Sequence, residues 1–347
     1  MCKSSFRPAF RGGALFLLLL GLWLADIGLG SVYIPPLETL KILLGLPSEN
    51  PEWADIIWKI RFPRAATALL VGMALALSGL QMQTLFLNPL AGPGILGITA
   101  GASLGVALVM FFLGGFVGQS HGIGLWSNGL VVMAAILGAG LVMALVMLLA
   151  ARIADPVVLL LLGLMLGNLT LALVSLGQYF SRPETLQTFL LWSFGSLGGV
   201  QGDSLILLSV LVGLGILLSF WLNPALDVML LGPEYAQSLG LPVKHIRLSL
   251  IFITGLLAGG VTAFCGPIGF VGVAVPHLAR ALNNTSRHQS LTWLCLLCGA
   301  SLMLLCDLVA KGPGVNYNFP INAITALIGS PILMVVILKS QYGRQFF

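Results

Sequence analysis

Charged residues are scarce in this chain: only 8% of its 347 residues are Asp, Glu, Lys or Arg. Hydrophobic residues make up 58%, and the mean hydropathy is +1.04. Soluble domains carry about three times as much charge, so the scarcity excludes a water-soluble domain of this size. The composition predicts an all-α polytopic membrane protein, because helices satisfy their own backbone hydrogen bonds in lipid.

Catalytic and nucleotide-binding motifs are missing as well. The sequence contains no HExxH, no pair of acids at metal-binding spacing and no GxSxG in a strand-to-helix context. None of the lysines follows a glycine, so there is no GxxxxGK[ST] phosphate loop. We therefore expect no enzymatic activity, no metal and no cofactor in this chain, and an energy source outside it.

Cysteines are few, and their number, five, is odd. Most lie inside apolar runs, which argues against a disulfide framework. Cys295 and Cys298 form a CxxC, but no second CxxC and no histidine pair accompanies it. Packing as small apolar residues is the simpler interpretation, and a metal or redox role is the alternative.

The sequence does contain about ten apolar runs long enough to matter in a membrane. The run at 268–282 is too short to cross simply, and GPIGFVG at its start predicts a broken or re-entrant helix. Lys3, Arg7 and Arg11 precede an apolar core that also resembles a signal peptide, but without a convincing cleavage site we interpret it as a retained first helix. The predicted spans are 13–32, 64–86, 94–116, 126–151, 156–179, 203–222, 248–265, 268–282, 291–309 and 320–338.

Basic residues lie mostly on one side of this arrangement. With the N-terminus in the cytoplasm, the cytoplasmic side carries a net charge of +7 and the other side −2. This difference follows the positive-inside rule and predicts cytoplasmic N- and C-termini. It places on the cytoplasmic side the 231–241 segment, LGPEYAQSLGL, a polar break between two apolar runs.

Small residues and a faint internal symmetry bear on how the helices pack. Gly97, Gly101 and Gly105 recur every four residues, a spacing typical of helices whose backbones approach closely. The order of features in 69–101 recurs in 250–276, and the two copies enter the membrane from opposite sides. This order predicts an inverted internal repeat.

As possible ion sites, only Asp26 and Asp307 lie within reach, both near external helix ends. Ion-coupled carriers keep such groups along their pathway. A partner ATPase is therefore the favoured energy source. An ion-coupled secondary transporter and, more remotely, an intramembrane enzyme are the alternatives.

Six stretches, in order from 61 to 331, carry a resemblance to a known family. Together they resemble the FecCD family, the permease subunits of ATP-driven importers for iron-siderophore complexes, haem and vitamin B12. The stretches are RFPR (61–64), GLQMQTLFLNPLAGPGILGITAGASLG (79–105), WSFGSL (192–197), LGPEYAQSLGL (231–241), GPIGFVGVAVPHLAR (266–280) and PINAITALIGSP (320–331).

The resemblance implies a type II ABC importer permease fold, with about ten helices in one transmembrane domain, 1–347, whose approximate halves are 1–200 and 201–347. It implies a bacterial inner-membrane protein that forms a homodimer with a second permease copy and binds ABC ATPase subunits, which use ATP and Mg. A periplasmic or lipid-anchored substrate-binding protein delivers the ligand, and no nucleic acid is involved. An iron-siderophore complex is the first expected cargo, with haem and then cobalamin as alternatives.

The resemblance also implies docking residues for the binding protein: Arg61, Arg64 and Lys311. Arg61 and Arg64 flank Pro63, and we expect their guanidinium groups to form a forked surface for carboxylates. Lys311 stands where an arginine is usual and cannot bind a carboxylate in two places. Asn318 and Asn322 also depart from the family pattern.

The remaining implied sites are a coupling loop and a pathway. The loop covers 223–247, and within it EYAQSL is predicted to form a short helix ended by a left-handed Gly240. The residues expected to couple to the ATPase are Gly232, Glu234, Ala236, Leu239 and Gly240. Those expected in the pathway or its gate are Asn88, Gly97, Gly101, Met165, Asn168, Gly269 and Pro276.

Overall fold

The computed structural model describes residues 7–48, 50–113, 124–283, 285–312 and 318–342, and every regular element among these residues is a helix. Short π-helical turns lie within α3 (Ile57–Arg61) and α10 (Gly255–Gly259) and follow α4 (Val109–Leu113); a 3-10 turn, Pro93–Leu96, precedes α4. The helices are α1 Arg7–Gly28, α2 Pro36–Leu43, α3 Pro51–Leu85, α4 Ile98–Leu108, α5 Gly124–Arg152, α6 Pro156–Phe180, α7 Pro183–Ser193, α8 Asp203–Met229, α9 Pro233–Ser238, α10 Val243–Cys265, α11 Val271–Leu282, α12 His288–Lys311 and α13 Ile321–Tyr342.

Ten of these helices correspond to the ten predicted spans. Six of them, α3, α5, α6, α8, α10 and α12, are long and apolar enough to cross a membrane, and α1, α4, α11 and α13 contain shorter apolar stretches. Of the three short helices between them, the sequence predicted α9 but not α2 or α7. The all-helical fold class is confirmed, and α11 is short and follows a non-helical stretch at 266–270, as expected.

Two predicted boundaries are wrong. The second span begins at Pro51 instead of 64, so the RFPR motif lies inside α3. Pro63 has no N–H to donate, and the preceding π turn, in which the Phe62 N–H bonds to the Ile57 carbonyl, accommodates it within the helix. The loop predicted at 223–247 narrows to 230–242, because α8 continues to Met229 and α10 begins at Val243.

The centre of the bundle is formed by α3, α10 and α12, which are mostly buried, whereas α5, α6 and α8 are largely exposed. Helix α3 touches α12 where Gly72 meets Gly299, and it touches α11 where Gly79 meets Gly272. A Cβ atom at Gly72, Gly79 or Gly299 would collide with the facing backbone, and one at Gly272 would collide with the Pro93 side chain. The helices therefore meet backbone to backbone, as expected where lipid provides no hydrophobic drive for association.

Helix directions follow from pairs of contacts. Helices α3 and α12 are antiparallel, because Arg64 meets Asp307 and Thr84 meets His288. Helices α3 and α11 are parallel, because the Gly79–Gly272 contact is followed along both helices by a hydrogen bond from Arg280 to Gln83. Helix α3, the first helix of the 69–101 copy, therefore runs beside α11, the second helix of the 250–276 copy.

The other two helices of the repeat, α4 and α10, are also parallel to each other. Helices α4 and α10 both run antiparallel to α5, so they are parallel to each other, and a Cβ at Gly259 would lie 3.3 Å from Ile98 of α4. This crossed packing agrees with the predicted inverted repeat. The contacts that set the directions are Gly101 with Gly138, Gly105 with Ala134, Gly255 with Met143 and Gly259 with Ala139.

The antiparallel contact between α3 and α12 gives the bundle two named ends. At the Asp307 end, Arg64 of α3 meets α12 near its last turn. At the His288 end, α3 finishes, α12 begins, and α8 leads into the 231–241 segment. The predicted docking residues lie at the first end and the predicted coupling residues at the second.

Candidate docking and coupling sites at the two ends of the bundle

Arg64 and Lys311 form a charged cluster with two buried acids at the Asp307 end. Arg64 binds Asp307 through Nε at 3.0 Å and Nη2 at 2.8 Å, and its Nη1 donates to Asn318 Oδ1 at 3.2 Å. Lys311 Nζ lies 2.8 Å from Asp26 Oδ1 and 3.0 Å from Asp307 Oδ2. Asp26 and Asp307 are wholly buried, so each needs a cationic partner to remain charged there.

Arg61 bonds to backbone carbonyls and is buried, with 5% of its surface exposed. Its Nη1 donates to the carbonyl oxygens of Ile27 at 3.0 Å and Gly28 at 2.7 Å, and its Nη2 donates to that of Val32. The Ile27 and Gly28 carbonyls end α1, where the helix leaves acceptors without partners, and Val32 lies just beyond it. The expected fork of two exposed guanidinium groups is therefore wrong for Arg61, because its side chain turns inward to cap α1.

At the opposite end, the 231–241 segment forms a protruding turn of helix. Gly232 (φ 98°) and Gly240 (φ 83°) bracket α9 with backbone conformations that L-residues rarely adopt, as predicted for the end at Gly240. Ala236 is fully buried, whereas Leu239 is 60% and Tyr235 55% exposed. Glu234 is also exposed. Within α9, the small residue Ala236 packs against the protein, while Tyr235 and Leu239 face the solvent.

A cavity of about 670 Å³ lies beside α9, between the α5–α6 turn at 151–156 and residues of 233–247. Charged residues of both signs line it, among them Arg152, Glu234 and Lys244. Arg247 and Ala154 both line this cavity, and Arg247 Nη1 donates to the Ala154 carbonyl at 2.7 Å. This bond ties the start of α10 to the α5–α6 turn.

The predicted pathway residues divide into two groups, and the first is buried in helix contacts. Gly97 faces Gly167 of α6, Gly101 faces Gly138 of α5, and Pro276 lies inside α11. These positions lie in contacts between helices, and their part in a pathway or its gate stays a prediction.

The second group lies at breaks or on the outer face. Asn88 stabilises the turn after α3 by accepting from the Leu90 N–H at 2.9 Å, and the Gly269 N–H donates to Asn322 Oδ1 at 3.0 Å. Met165, 64% exposed, and Asn168 lie on the outer face of α6.

Asn168 also lines a cavity of about 390 Å³ between α4, α6 and α7. Several of its wall residues carry hydroxyl or amide groups: Thr99, Ser103, Ser175, Gln178 and Ser193. No charged side chain is among the lining residues. Such a wall suits a large polar but uncharged surface, and of the predicted pathway residues Asn168 is the one that it contains.

The sequence reasoning missed a buried polar network near the His288 end. Gln81 of α3 donates to Ser219 of α8 at 2.7 Å and accepts from Thr254 of α10 at 3.2 Å. Gln83 donates to the Val273 carbonyl of α11 at 3.2 Å. The signal was visible as two glutamines and a threonine, LQMQTL, at the end of an apolar span, since buried polar groups in membrane helices need partners.

The cysteines are buried free thiols at the four described positions, Cys265, Cys295, Cys298 and Cys306. Cys2 lies outside the described residues. Among the described residues, no three His, Cys, Asp or Glu side chains come together as metal ligands.

Comparisons with known proteins extend these observations over almost the whole chain. The chain is 37% identical over 331 residues to the vitamin B12 import system permease protein BtuC of Klebsiella pneumoniae, covering 95% of this chain and 93% of that protein. It is 38% identical over 285 residues to the protein of the same name from Salmonella paratyphi A, covering 82% and 84%.

A solved structure shares the fold as well. A chain of an ABC transporter described as metal-chelate type, in an inward-facing conformation, superposes with a TM-score of 0.82 at 33% identity, covering 94% of this chain and 98% of that one. The family model of the FecCD transport family matches residues 17–339. The two-ended bundle, its crossed repeat and these matches together show that the chain belongs to the FecCD transport family.

Proposed function

We propose that this chain is the permease subunit of an ATP-driven importer that moves a metal chelate by alternating access. The observation that carries the proposal is the 231–241 segment, whose short helix presents Tyr235 and Leu239 to solvent at the His288 end. Apolar side chains on a protruding helix suit a groove of a second protein. In the proposal that protein is an ABC ATPase, which binds ATP and Mg, while this chain binds no nucleotide.

The assembly includes a second copy of the permease. Helix α6 supports this part of the proposal, because it exposes an apolar face that includes Leu161, Met165 and Leu169. The His288 end faces the cytoplasm of a bacterium, with both termini on that side, and the charge count supports this orientation.

The Asp307 end receives a soluble or lipid-anchored binding protein. Arg64 is the residue best placed for this contact, because its Nη1 lies at the exposed bond to Asn318 while the other two cations are more deeply buried. A carboxylate of the binding protein would compete with Asp307 for the guanidinium group.

The cargo is a metal chelate, and we place a cobalt corrinoid first. The support is that relatives with 37% to 39% identity are named as vitamin B12 import permeases. An iron-siderophore complex, which the sequence reasoning put first, and haem are the other members of the class. The hydroxyl and amide side chains that line part of the cavity beside Asn168 would be able to bond to amide groups on the periphery of a corrinoid.

Purification of the cognate binding protein with its bound ligand tests the cargo. Mass spectrometry and visible absorption distinguish the three chelates: a corrinoid gives cobalt and corrin bands, haem gives a Soret band, and a hydroxamate siderophore gives iron and a broad charge-transfer band. A Soret band would overturn the corrinoid assignment and leave the importer intact.

Co-purification tests the importer itself. A tagged permease extracted in mild detergent is expected to bring down an ATPase subunit. An ion-coupled carrier would instead take up ligand in vesicles without ATP and lose uptake when a protonophore is added. Both embedded acids, Asp26 and Asp307, are bonded to cations, which argues against their use as ion sites.

A further inference from the structure

Asp227 lies in the last turns of α8, four residues before the 231–241 segment begins. Its Oδ1 accepts two hydrogen bonds from one residue of α12: from the backbone N–H of His288 and from His288 Nδ1, both at 2.7 Å. Arg287, which precedes α12, makes no side-chain cap. Asp227 therefore caps α12 from a neighbouring helix, where a carboxylate is favoured by the free N–H groups of the first turn.

His288 carries this contact onward. It is fully buried, and its second ring nitrogen, Nε2, lies 2.8 Å from Thr84 Oγ1 in the last turn of α3. Asp227, His288 and Thr84 thus form one continuous path from the end of α8, through the start of α12, to the end of α3. Hydrogen bonds to a charged group are roughly twice as strong as neutral ones, so the path begins with its strongest contact.

A second contact between the same two helices lies one turn further from the segment. Asn223 of α8 donates to Gln289 Oε1 at 3.2 Å and accepts from Thr292 Oγ1 at 2.8 Å. It joins α8 to α12 with the same number of hydrogen bonds but does not continue to α3. The two contacts can be compared directly, because removing either one loosens the pair of α8 and α12, but only the Asp227–His288 contact continues to Thr84 of α3.

We propose that Asp227, His288 and Thr84 are positioning residues that carry displacement of the 231–241 segment into α12 and α3. This inference rests on the proposed function, since it concerns how ATP-driven movement at the segment reaches the core. The segment is attached to the bundle by α8 on one side and α10 on the other. The path holds the α8 side against the two central helices, so the segment and the core move together.

The test uses the permease with its ATPase and binding protein in liposomes, and measures ATP hydrolysed per molecule transported. The probe is whichever of cyanocobalamin, haemin and a ferric hydroxamate the unaltered complex carries. Asp227→Ala and Thr84→Val are expected to raise the ratio at least fivefold, and the matched control Asn223→Ala to change it less than twofold. Asp227→Asn keeps an oxygen acceptor, so its ratio of ATP hydrolysed to molecules transported is expected to stay within twofold of that of the unaltered complex.

A double variant sharpens the result. Asp227→Ala combined with Thr84→Val is expected to match the worse single variant, because both changes interrupt the same path. An equal effect of Asn223→Ala, or additive effects in the double variant, would overturn the inference and indicate helix packing alone. If Asp227→Ala does not assemble, Thr84→Val, which keeps the side-chain shape, decides the matter by the same measurement.

Failure of the proposed function gives a different result. In that case the unaltered complex shows no ATP-driven uptake of any of the three probes, and the inference is overturned with it. ATP-driven uptake with no change of ratio in Asp227→Ala or Thr84→Val leaves the importer standing and overturns the inference alone.

Discussion

The two ends of the bundle differ in how their functional residues are held. At the Asp307 end, every predicted docking cation is already bonded within the chain, to buried acids or to backbone carbonyls. At the His288 end, α9 presents Leu239 and Tyr235 to solvent and buries only Ala236. Binding at the first end must exchange one ionic contact for another, whereas binding at the second end covers the exposed Tyr235 and Leu239 side chains beside the exposed Glu234. We therefore expect the first to depend strongly on salt and the second weakly.

The largest expected effect is at the apolar end. Leu239→Asp should reduce ATP-driven uptake more than tenfold, because a carboxylate in the covered groove would lose its water without gaining a partner. Uptake into proteoliposomes and the amount of ATPase that co-purifies measure the effect. Leu239→Met, which keeps an apolar side chain of similar size, is the control and should retain most activity. Undiminished uptake in Leu239→Asp would place the ATPase contact elsewhere in the segment.

A smaller effect is expected from a single substitution at the Asp307 end. Arg64→Glu should weaken the affinity of the permease for its binding protein about tenfold, in line with loss of a charge-assisted contact. Affinity is measured in detergent or nanodiscs at low and high salt. The unaltered protein should lose affinity as salt rises, and the variant should be nearly insensitive. A steep salt dependence that survives in Arg64→Glu would mean that other charges carry the docking.

A variant of Arg61 distinguishes a structural role from a docking role at the same end. Arg61→Met should leave the affinity for the binding protein within threefold and lower the stability of the folded permease by about 3 kcal/mol, since three carbonyl oxygens lose their donor. Thermal unfolding in detergent measures the stability. Arg64→Met is the matched comparison, because it removes the same side chain from a less buried site. A tenfold loss of affinity at normal stability would return Arg61 to the docking surface.

The smallest effect is expected at Lys311. Lys311→Arg supplies the forked donor that the family usually has, yet it should raise affinity less than twofold. The reason is that Lys311 Nζ already lies within 3.0 Å of Asp26 and Asp307 and faces inward. The same binding measurement applies. A clear gain in affinity would show that this position reaches the partner after all.

Sequence alone predicted the helices well and the side-chain partners poorly. Ten spans could be found because the thickness of a bilayer imposes long apolar runs, and α9 could be found because Gly232 and Gly240 punctuate it. The bond between Arg64 and Asp307 joins residues 243 positions apart, and no local pattern reports it. Arg61 and Arg64 look equivalent in the motif, but Arg61 is the last residue of the π turn and caps α1, whereas Arg64 follows Pro63 and binds Asp307 of α12.

Departures from the family pattern were informative in a way that the sequence did not reveal. Asn318 accepts from Arg64, and Asn322 accepts from the Gly269 N–H at the non-helical stretch before α11. Both asparagines offer a neutral acceptor where the structure needs one. The pathway residues stay a prediction, since a glycine stripe fits helix packing and a gate equally, and Gly97 and Gly101 lie in helix contacts.

The glycine contacts of α3 have a consequence for motion. The backbone contacts at Gly72 with Gly299, and at Gly79 with Gly272, leave no space for a side chain between α3 and either neighbour. We therefore expect helices α3, α11 and α12 to move together in a transport cycle. The hinges for such a movement are then expected at the non-helical breaks at 86–92 and 266–270, where Leu87 and Phe270 have positive φ angles of 45° and 65°.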